Sequence, residues 1–287
     1  MISIIIPAYN EEKNIKDIIL EIKSTLKNNK KYKDYEIIVV NDGSTDSTKS
    51  IALKNKVKVI DNLENMGYGY SLKKGIDSAK YDMIVILDGD NTYPFSSIFD
   101  LLEKKEMGYD LVVGARTGKY YRESILKSLL RKILKFIVQY VSNRKIKDIN
   151  SGFRVFDKKT VKKYYSKLCD TFSFTTTQTL AYAMNNLTIC YVDIDYRKRK
   201  DKSKVKIIKD SLISLRYIIS SCVYYNPLKM FCLLSIICIL FSIIGFICSH
   251  FLHINAGYIL GIGGLLISIV VYSFGLLAVL LKQIMDK

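Results

Sequence analysis

Met83-Ile84-Val85-Ile86-Leu87-Asp88-Gly89-Asp90 is the stretch from which the fold can be read. A short, β-branched apolar run that stops on Asp-Gly-Asp reads as a buried strand delivering two carboxylates to its exposed end. Oxygen ligands of this kind suit Mg²⁺ or Mn²⁺, and Mg²⁺ takes one or two carboxylates and fills its other positions with phosphate and water. Asp and Gly are also favoured wherever a strand ends. An isolated Asp-x-Asp therefore reads at least as readily as a turn, and the neighbouring sequence has to decide.

Outward from this run, further short apolar stretches occur at residues 2–6, 37–40, 57–60 and 111–113, separated by polar or amphipathic segments. Residues 11–28 carry Ile15, Ile18, Ile19, Ile22 and Leu26 at helical spacing, and 47–56 and 70–79 read as shorter helices on the same plan. Strand and helix alternating in this way predict an α/β fold with a mostly parallel sheet, whose ligand sits at the carboxyl ends of the strands. Polar clusters fall at those ends: Pro7-Ala8-Tyr9-Asn10-Glu11, Asn41-Asp42-Gly43-Ser44-Thr45-Asp46, Asn65-Met66-Gly67-Tyr68-Gly69 and Asp88-Gly89-Asp90. Each alone is a loop, but four in register with successive strands make a site. Gly67-Tyr68-Gly69 has Leu72 where a dinucleotide fingerprint needs its third glycine, so it reads instead as a turn that lets backbone approach a phosphate or ribose.

The other end of the chain is built differently. Residues 228–249 hold one charge, Lys229, and 256–281 hold none, so each is long enough to cross a hydrocarbon core that needs about 20 apolar residues. The link between them is short, which predicts a hairpin with both its ends on one side. Nine Lys and Arg between Arg197 and Arg216 precede the first span and Lys282 and Lys287 follow the second, while the link has neither, so the positive-inside rule puts the N-terminal part in the cytoplasm. No secretory leader is expected, because the chain begins on a strand. Residues 122–141 and 206–225 each combine apolar and basic positions; the first reads equally as a core helix or as a helix lying in the membrane interface, and the second is read as one or two helices lying on the cytoplasmic leaflet. The resulting division is a catalytic domain at 1–204, interfacial helices at 205–227, two transmembrane helices within 228–281 (228–249 and 256–281), and a cytoplasmic tail at 282–287. Small residues in the second span, Gly257, Gly261, Gly263, Gly264 and Gly275, allow close packing within the hairpin or between copies in a homo-oligomer.

Composition narrows the chemistry. A formal charge of +17 is compatible with nucleic acid, an anionic bilayer or phosphorylated substrates. The basic residues concentrate beside the membrane segments, Trp is absent, and no nucleic-acid-binding signature appears, so no nucleic acid is expected. The six cysteines show no Cys-x-x-Cys spacing. Both histidines, His250 and His253, lie between the two spans, which removes Ser-His and Cys-His schemes from the rest of the chain.

Ile4-Ile5-Ile6-Pro7-Ala8-Tyr9-Asn10-Glu11-Glu12, Val39-Val40-Asn41-Asp42-Gly43-Ser44-Thr45-Asp46 and Asp88-Gly89-Asp90 together resemble glycosyltransferase family 2, with its GT-A nucleotide-sugar-binding, Rossmann-like mixed sheet. Asp148-Ile149-Asn150-Ser151-Gly152-Phe153-Arg154, Tyr196-Arg197-Lys198-Arg199 and Ser203-Lys204 are similar to the branch containing dolichol-phosphate mannosyltransferases and bacterial polyprenyl-phosphate glucosyltransferases. The resemblance implies that Pro7, Tyr9, Glu11 and Asp42 line the base and ribose of a UDP- or GDP-sugar. It implies that Asp88 and Asp90 face the diphosphate and an Mg²⁺ or Mn²⁺ ion, and that Arg116, Arg154, Arg199 and Lys204 contact phosphate, with Gly67 in the donor loop. Arg154 has an alternative reading as the ion-pair partner of Asp148, and Arg199 and Lys204 one as positive-inside residues. This sequence departs from the branch at Asn41, Thr92, Asp193 and Asp201, which bears on the outer metal ligands and the late basic loop.

The implied reaction is inverting transfer of one sugar from a nucleotide to a polyprenyl (dolichyl or undecaprenyl) phosphate at the cytoplasmic membrane face. A lipid monophosphate arrives largely ionised, with a second pKa near ~6, and needs no strong base. Were the acceptor a hydroxyl of a lipid-linked saccharide, Asp148 would be the candidate base. A catalytically silent membrane scaffold is the reading outside enzymology.

Overall fold

Every residue of β1, Ile2–Ala8, is buried, as befits a strand covered on both faces. The computed structural model describes residues 1–27, 29–118, 120, 125–198, 207–253 and 255–285. After β1 come α1 (Ile15–Lys27), β2 (Tyr35–Asp42), α2 (Thr48–Lys54), β3 (Lys58–Asn62), α3 (Tyr68–Ser78) and β4 (Met83–Ile86). Then follow α4 (Ile98–Glu106), β5 (Leu111–Thr117), α5 (Ile125–Ser142), β6 (Arg154–Asp157), α6 (Lys158–Lys162), α7 (Phe174–Met184) and β7 (Ile189–Asp195). The chain closes with α8 (Ile207–Tyr225), α9 (Pro227–Leu252) and α10 (Ala256–Met285).

The strands form one sheet in the order β3-β2-β1-β4-β6-β5-β7. β6 runs antiparallel to β4 and β5, and every other pairing is parallel. The mixed α/β sheet expected from the sequence is therefore present, with β6 and β7 added to the five strands read from apolar runs. Alternation along β1 feeds two layers. Ile2, Ile4 and Ile6 share a core with Ile15, Ile18, Ile19 and Ile22 of α1 and Leu101 and Leu102 of α4. On the other face, a Cβ at Gly75 of α3 would stand 2.5 Å from Ile5 and 3.0 Å from Val40. Only glycine lets α3 lie that close to the sheet.

Two compact units result, Met1–Phe136 with Arg144–Ile218, and Ile137–Asn143 with Ile219–Lys287. In the second, α9 and α10 form an antiparallel pair, and Pro227–Phe251 and Ala256–Ile284 are each long and apolar enough to cross a membrane. Much of their outer surface is exposed Leu, Ile and Phe. Four of the five glycines noted in the sequence face α9: a Cβ at Gly257, Gly261, Gly264 or Gly275 would stand 2.6–2.9 Å from atoms of that helix. Gly263 points into open space, so these small residues mostly serve the hairpin itself. Ser235 donates to the Ser268 carbonyl at 3.0 Å across the same seam. At its base, Lys229 Nζ donates to the Tyr140 carbonyl (2.9 Å) and Asn143 Oδ1 (2.6 Å), and Lys282 Nζ donates to the Tyr225 carbonyl (2.7 Å). Both lysines thus cap carbonyls at the ends of α5 and α8, where a helix dipole favours a cation.

Candidate functional site

β1 is the strand at which the direction of winding changes: β2 and β3 lie to one side, β4 to the other. The crevice at the carboxyl ends of β1 and β4 is the place where open α/β sheets bind ligands. The Pro7-Ala8-Tyr9 and Asp88-Gly89-Asp90 clusters meet there, and a Cβ at Gly89 would stand 3.0 Å from the Pro7 carbonyl.

On the β1–β2 side the loops are tied to one another. Glu11, buried, donates its backbone N–H to Thr48 Oγ1 at 2.7 Å and accepts from Asn14 at 2.9 Å. Asn10 (φ +53°) donates its N–H to Ser44 and accepts from the Thr45 N–H at 2.8 Å. Asp42, also buried, accepts from Asn62 Nδ2 (2.8 Å) and from the N–H groups of Met66 (2.9 Å) and Gly67 (3.0 Å). This carboxylate therefore fixes the Gly67 turn. Gly67 has φ +103°, and a Cβ there would meet the Asp170 carbonyl at 2.8 Å, so both conformation and close approach require glycine.

At the end of β4, Asp90 is buried and its Oδ1 accepts from the Thr92 N–H (3.1 Å) and hydroxyl (2.5 Å). Asp88, partly exposed, accepts from the Tyr68 hydroxyl at 2.8 Å. Burial, reinforced by the Asp88 carboxylate, pushes the Tyr68 phenol well above its ordinary range, so it remains a donor. The antiparallel pairing of Ile86 with Arg154, carried two residues further along each strand, sets Gly152 opposite Asp88. A Cβ at Gly152 would stand 2.2 and 2.3 Å from the two Asp88 oxygens. The Gly152 N–H donates to the Tyr93 hydroxyl at 2.9 Å, which holds this loop in place.

Beyond Asp88 and Asp90, Arg116 and Asp148 form a two-pronged ion pair, Nε to Oδ2 at 2.8 Å and Nη2 to Oδ1 at 2.9 Å, with the Arg116 N–H adding a third bond at 3.1 Å. Burial alone would raise the Asp148 carboxyl, but the charge and hydrogen bonds of Arg116 outweigh it and hold the group below the usual carboxylate range. The Arg116 guanidinium lies 5.6 Å from the centre of the Tyr196 ring, which meets Tyr93 edge-on at 5.2 Å.

The structure gives Arg154 a different setting from the one expected. It is fully buried and donates to the carbonyls of Ser151 (2.7 Å) and Ile149 (2.8 Å), to Thr179 (2.8 Å) and to Gln178 (3.2 Å). Its guanidinium is engaged with the protein rather than presented to a phosphate, and the partner of Asp148 is Arg116. Arg199 and Lys204 lie outside the described residues. Arg197, just before them, forms two bonds with Glu21 at 2.8 and 2.9 Å.

Among the described residues no three His, Cys, Asp or Glu converge as a metal cage. Two hard oxygen donors at one strand end fit a divalent ion shared with a bound diphosphate, where substrate and water complete the coordination.

The family model described as glycosyl transferase family 2 matches residues 3–165. The chain belongs to that family. An uncharacterized glycosyltransferase from Synechocystis is 32% identical over 168 residues, covering 56% of this chain and 51% of its own. The human dolichyl-phosphate beta-glucosyltransferase is 29% identical over 191 residues, covering 58% of each. The matched region thus spans little more than half the length of these relatives. Among solved structures, glucosyl-3-phosphoglycerate synthase from Mycobacterium tuberculosis in complex with UDP superposes with a TM-score of 0.61 at 21% identity, covering 77% of this chain and 80% of the other. The same enzyme with Mn²⁺, UDP and glucosyl-3-phosphoglycerate gives 0.59 at 21% identity and the same coverage. These similarities show the GT-A-like fold.

Within this family 2 glycosyltransferase, sequence reading passed over Tyr68, Tyr93 and Gly152. Tyr68 and Gly152 were visible only as parts of motifs, and their relation to Asp88 is set by strand register and by a loop packed against the Gly67 turn.

Proposed function

We propose that this glycosyltransferase moves a single sugar, with inversion, from a UDP- or GDP-sugar to a polyprenyl phosphate at the cytoplasmic face of a membrane that α9 and α10 span. The division into residues 1–204, 205–227, 228–281 and 282–287 belongs to the same reading. Pro7, Tyr9 and Glu11 line the base and ribose, and Asp42 holds the Gly67 turn that approaches the donor. Asp88 and Asp90 hold Mg²⁺ or Mn²⁺, which supplies charge neutralisation on the departing diphosphate. Arg116, oriented by Asp148 and Tyr196, contacts phosphate, with Arg199 and Lys204 further along the chain.

The observation that carries the acceptor class is the state of Asp148. A carboxylate engaged on both oxygens by Arg116 and held below its usual range is a poor proton acceptor. An acceptor that arrives ionised needs none. A phosphate monoester meets that condition, whereas a sugar hydroxyl does not. The named activity of the human relative and the two membrane-length helices support the same choice.

The test is incubation of membranes containing the protein with labelled UDP- and GDP-sugars and polyprenyl phosphate. The expected product is an alkali-stable, acid-labile glycolipid, lost on chelation and restored by Mn²⁺ or Mg²⁺. Transfer only to a lipid-linked saccharide would overturn the phosphate acceptor.

A further inference from the structure

Tyr68 stands at the first turn of α3, immediately after the Gly67 turn, and its hydroxyl reaches 20 residues along the chain to Asp88 Oδ1 at 2.8 Å. Its ring is held from outside by Phe172, stacked nearly parallel at 6.0 Å and 11°. Phe172 is half exposed, so the pair lies at the edge of the site.

The loop carrying Phe172 is fastened to α3 with little freedom. A Cβ at Gly69 would fall 2.2 Å from the Cys169 carbonyl, so the two backbones are in direct contact. Tyr70 donates its N–H to the Asp170 carbonyl at 3.0 Å, and Lys73 Nζ reaches the Leu168 carbonyl and Asp170 Oδ1, both at 2.7 Å. Backbone packing, the aromatic stack and the hydroxyl thus form one chain of contacts from residues 168–172 to the Asp88 carboxylate. Gly152 closes the other side of that carboxylate, leaving Asp88 held between a donor and a backbone wall.

We infer that Tyr68, braced by Phe172, is a positioning residue that sets the orientation of Asp88 for a divalent cation. This rests on the reading of Asp88 and Asp90 as metal-facing groups. Outer partners of ligating carboxylates typically alter metal affinity or activity by roughly 10–100-fold when removed. Tyr68→Phe removes the hydroxyl and keeps the ring, whereas Phe172→Leu removes the brace and keeps the hydroxyl.

The test uses the full chain in detergent, with Mn²⁺ as the probe, titrated by electron paramagnetic resonance in the presence of UDP. Transfer kinetics are measured alongside. Tyr68→Phe is expected to raise the Mn²⁺ dissociation constant about 10-fold with its melting midpoint unchanged, and Phe172→Leu to move it less and in the same direction. In an Asp88→Asn background Tyr68→Phe should add nothing further, because its action passes through the carboxylate. Unchanged or tighter Mn²⁺ binding in Tyr68→Phe overturns the inference, as does an equal loss in the Asp88→Asn background. Wild-type protein that binds Mn²⁺ with UDP yet makes no glycolipid refutes the proposed acceptor alone. Wild-type protein that binds no divalent ion overturns the positioning role together with the metal site.

Discussion

Gly152→Ala is the smallest change that reaches Asp88 without touching its chemistry. The added Cβ would stand 2.2 and 2.3 Å from the carboxylate oxygens, where ordinary contact begins at 3.4 Å, so one side must retreat by about an ångström. Gly152 has no positive φ, so alanine is not excluded by its backbone conformation. The loop is also poorly placed to yield. The Gly152 N–H is bonded to Tyr93, the Ser151 hydroxyl to the Gly114 carbonyl at 2.5 Å, and the Ser151 carbonyl to the buried Arg154. Asp88 is partly exposed and moves instead. A displacement of about 1 Å at a reacting centre costs on the order of 100-fold in rate. Gly152→Ala should therefore lose about that factor in kcat for labelled-glycolipid formation, with a melting midpoint within about 2 °C of wild type. Full kcat would refute the claim that Asp88 must stay where Gly152 permits it. A large fall in melting midpoint would show that the loop gave way.

Two further outcomes follow from buried charge. Because Asp148 is held below the usual carboxylate range, its pairing with Arg116 stabilises the protein fully above the unfolded value of ~3.9 and is lost as pH falls through the lower folded value. Asp148→Asn should then be less stable at neutral pH by about 2 kcal/mol, the loss of the charge-assisted bonds between the buried carboxylate and Arg116, and melting curves of variant and wild type should begin to converge below about pH 4 and meet only below the lower folded value. For Arg154→Met, the carbonyls of Ile149 and Ser151 lose their donor. At about 1–3 kcal/mol for each of the two stranded buried groups, the melting midpoint should fall by roughly 4–24 °C, while UDP affinity measured on the folded variant stays near wild type.

The outline of the sheet was legible because β1, β2, β4 and β5 are apolar and β-branched, and β3 is bounded by polar turns. β6 was not, since Arg154-Val155-Phe156-Asp157 is four residues long and opens on an arginine whose burial depends on acceptors elsewhere in the fold. β7 is half exposed over its first four residues at the sheet edge, and its run includes Cys190 and Tyr191 and ends on Asp193 and Asp195 instead of continuing as an aliphatic β-branched stretch. α7 hid for the opposite reason. Phe174-Thr175-Thr176-Thr177-Gln178-Thr179 is rich in β-branched threonine, which disfavours helix, and the helix is buried nearly all round, so no amphipathic period marks it. In the candidate site, Asp88 and Asp90 could be read from type and spacing. The Arg116–Asp148 pair could not be distinguished from an Arg154–Asp148 pair, because both arginines lie on strands of one sheet and spacing alone does not show which of them meets Asp148.

That ambiguity was resolved by the one element that breaks the parallel pattern. β6 enters antiparallel between β4 and β5. Its approach therefore comes from the carboxyl edge of β4, and residues 148–153 must cross the crevice before the strand begins. The register with β4 brings Gly152 against Asp88, and the register with β5 sets Phe153 opposite Gly114, so that the loop before it carries the Ser151 hydroxyl to the Gly114 carbonyl and Asp148 to Arg116. A parallel strand at the same place would deliver its leading loop to the opposite edge of the sheet and leave Asp88 and Arg116 without these neighbours. The buried Arg154, first residue of β6, gathers the carbonyls of Ile149 and Ser151 and so shapes the crossing loop. A residue expected at a phosphate thus acts one layer further back, on the loop that sets both the Asp88 carboxylate and the Arg116–Asp148 pair.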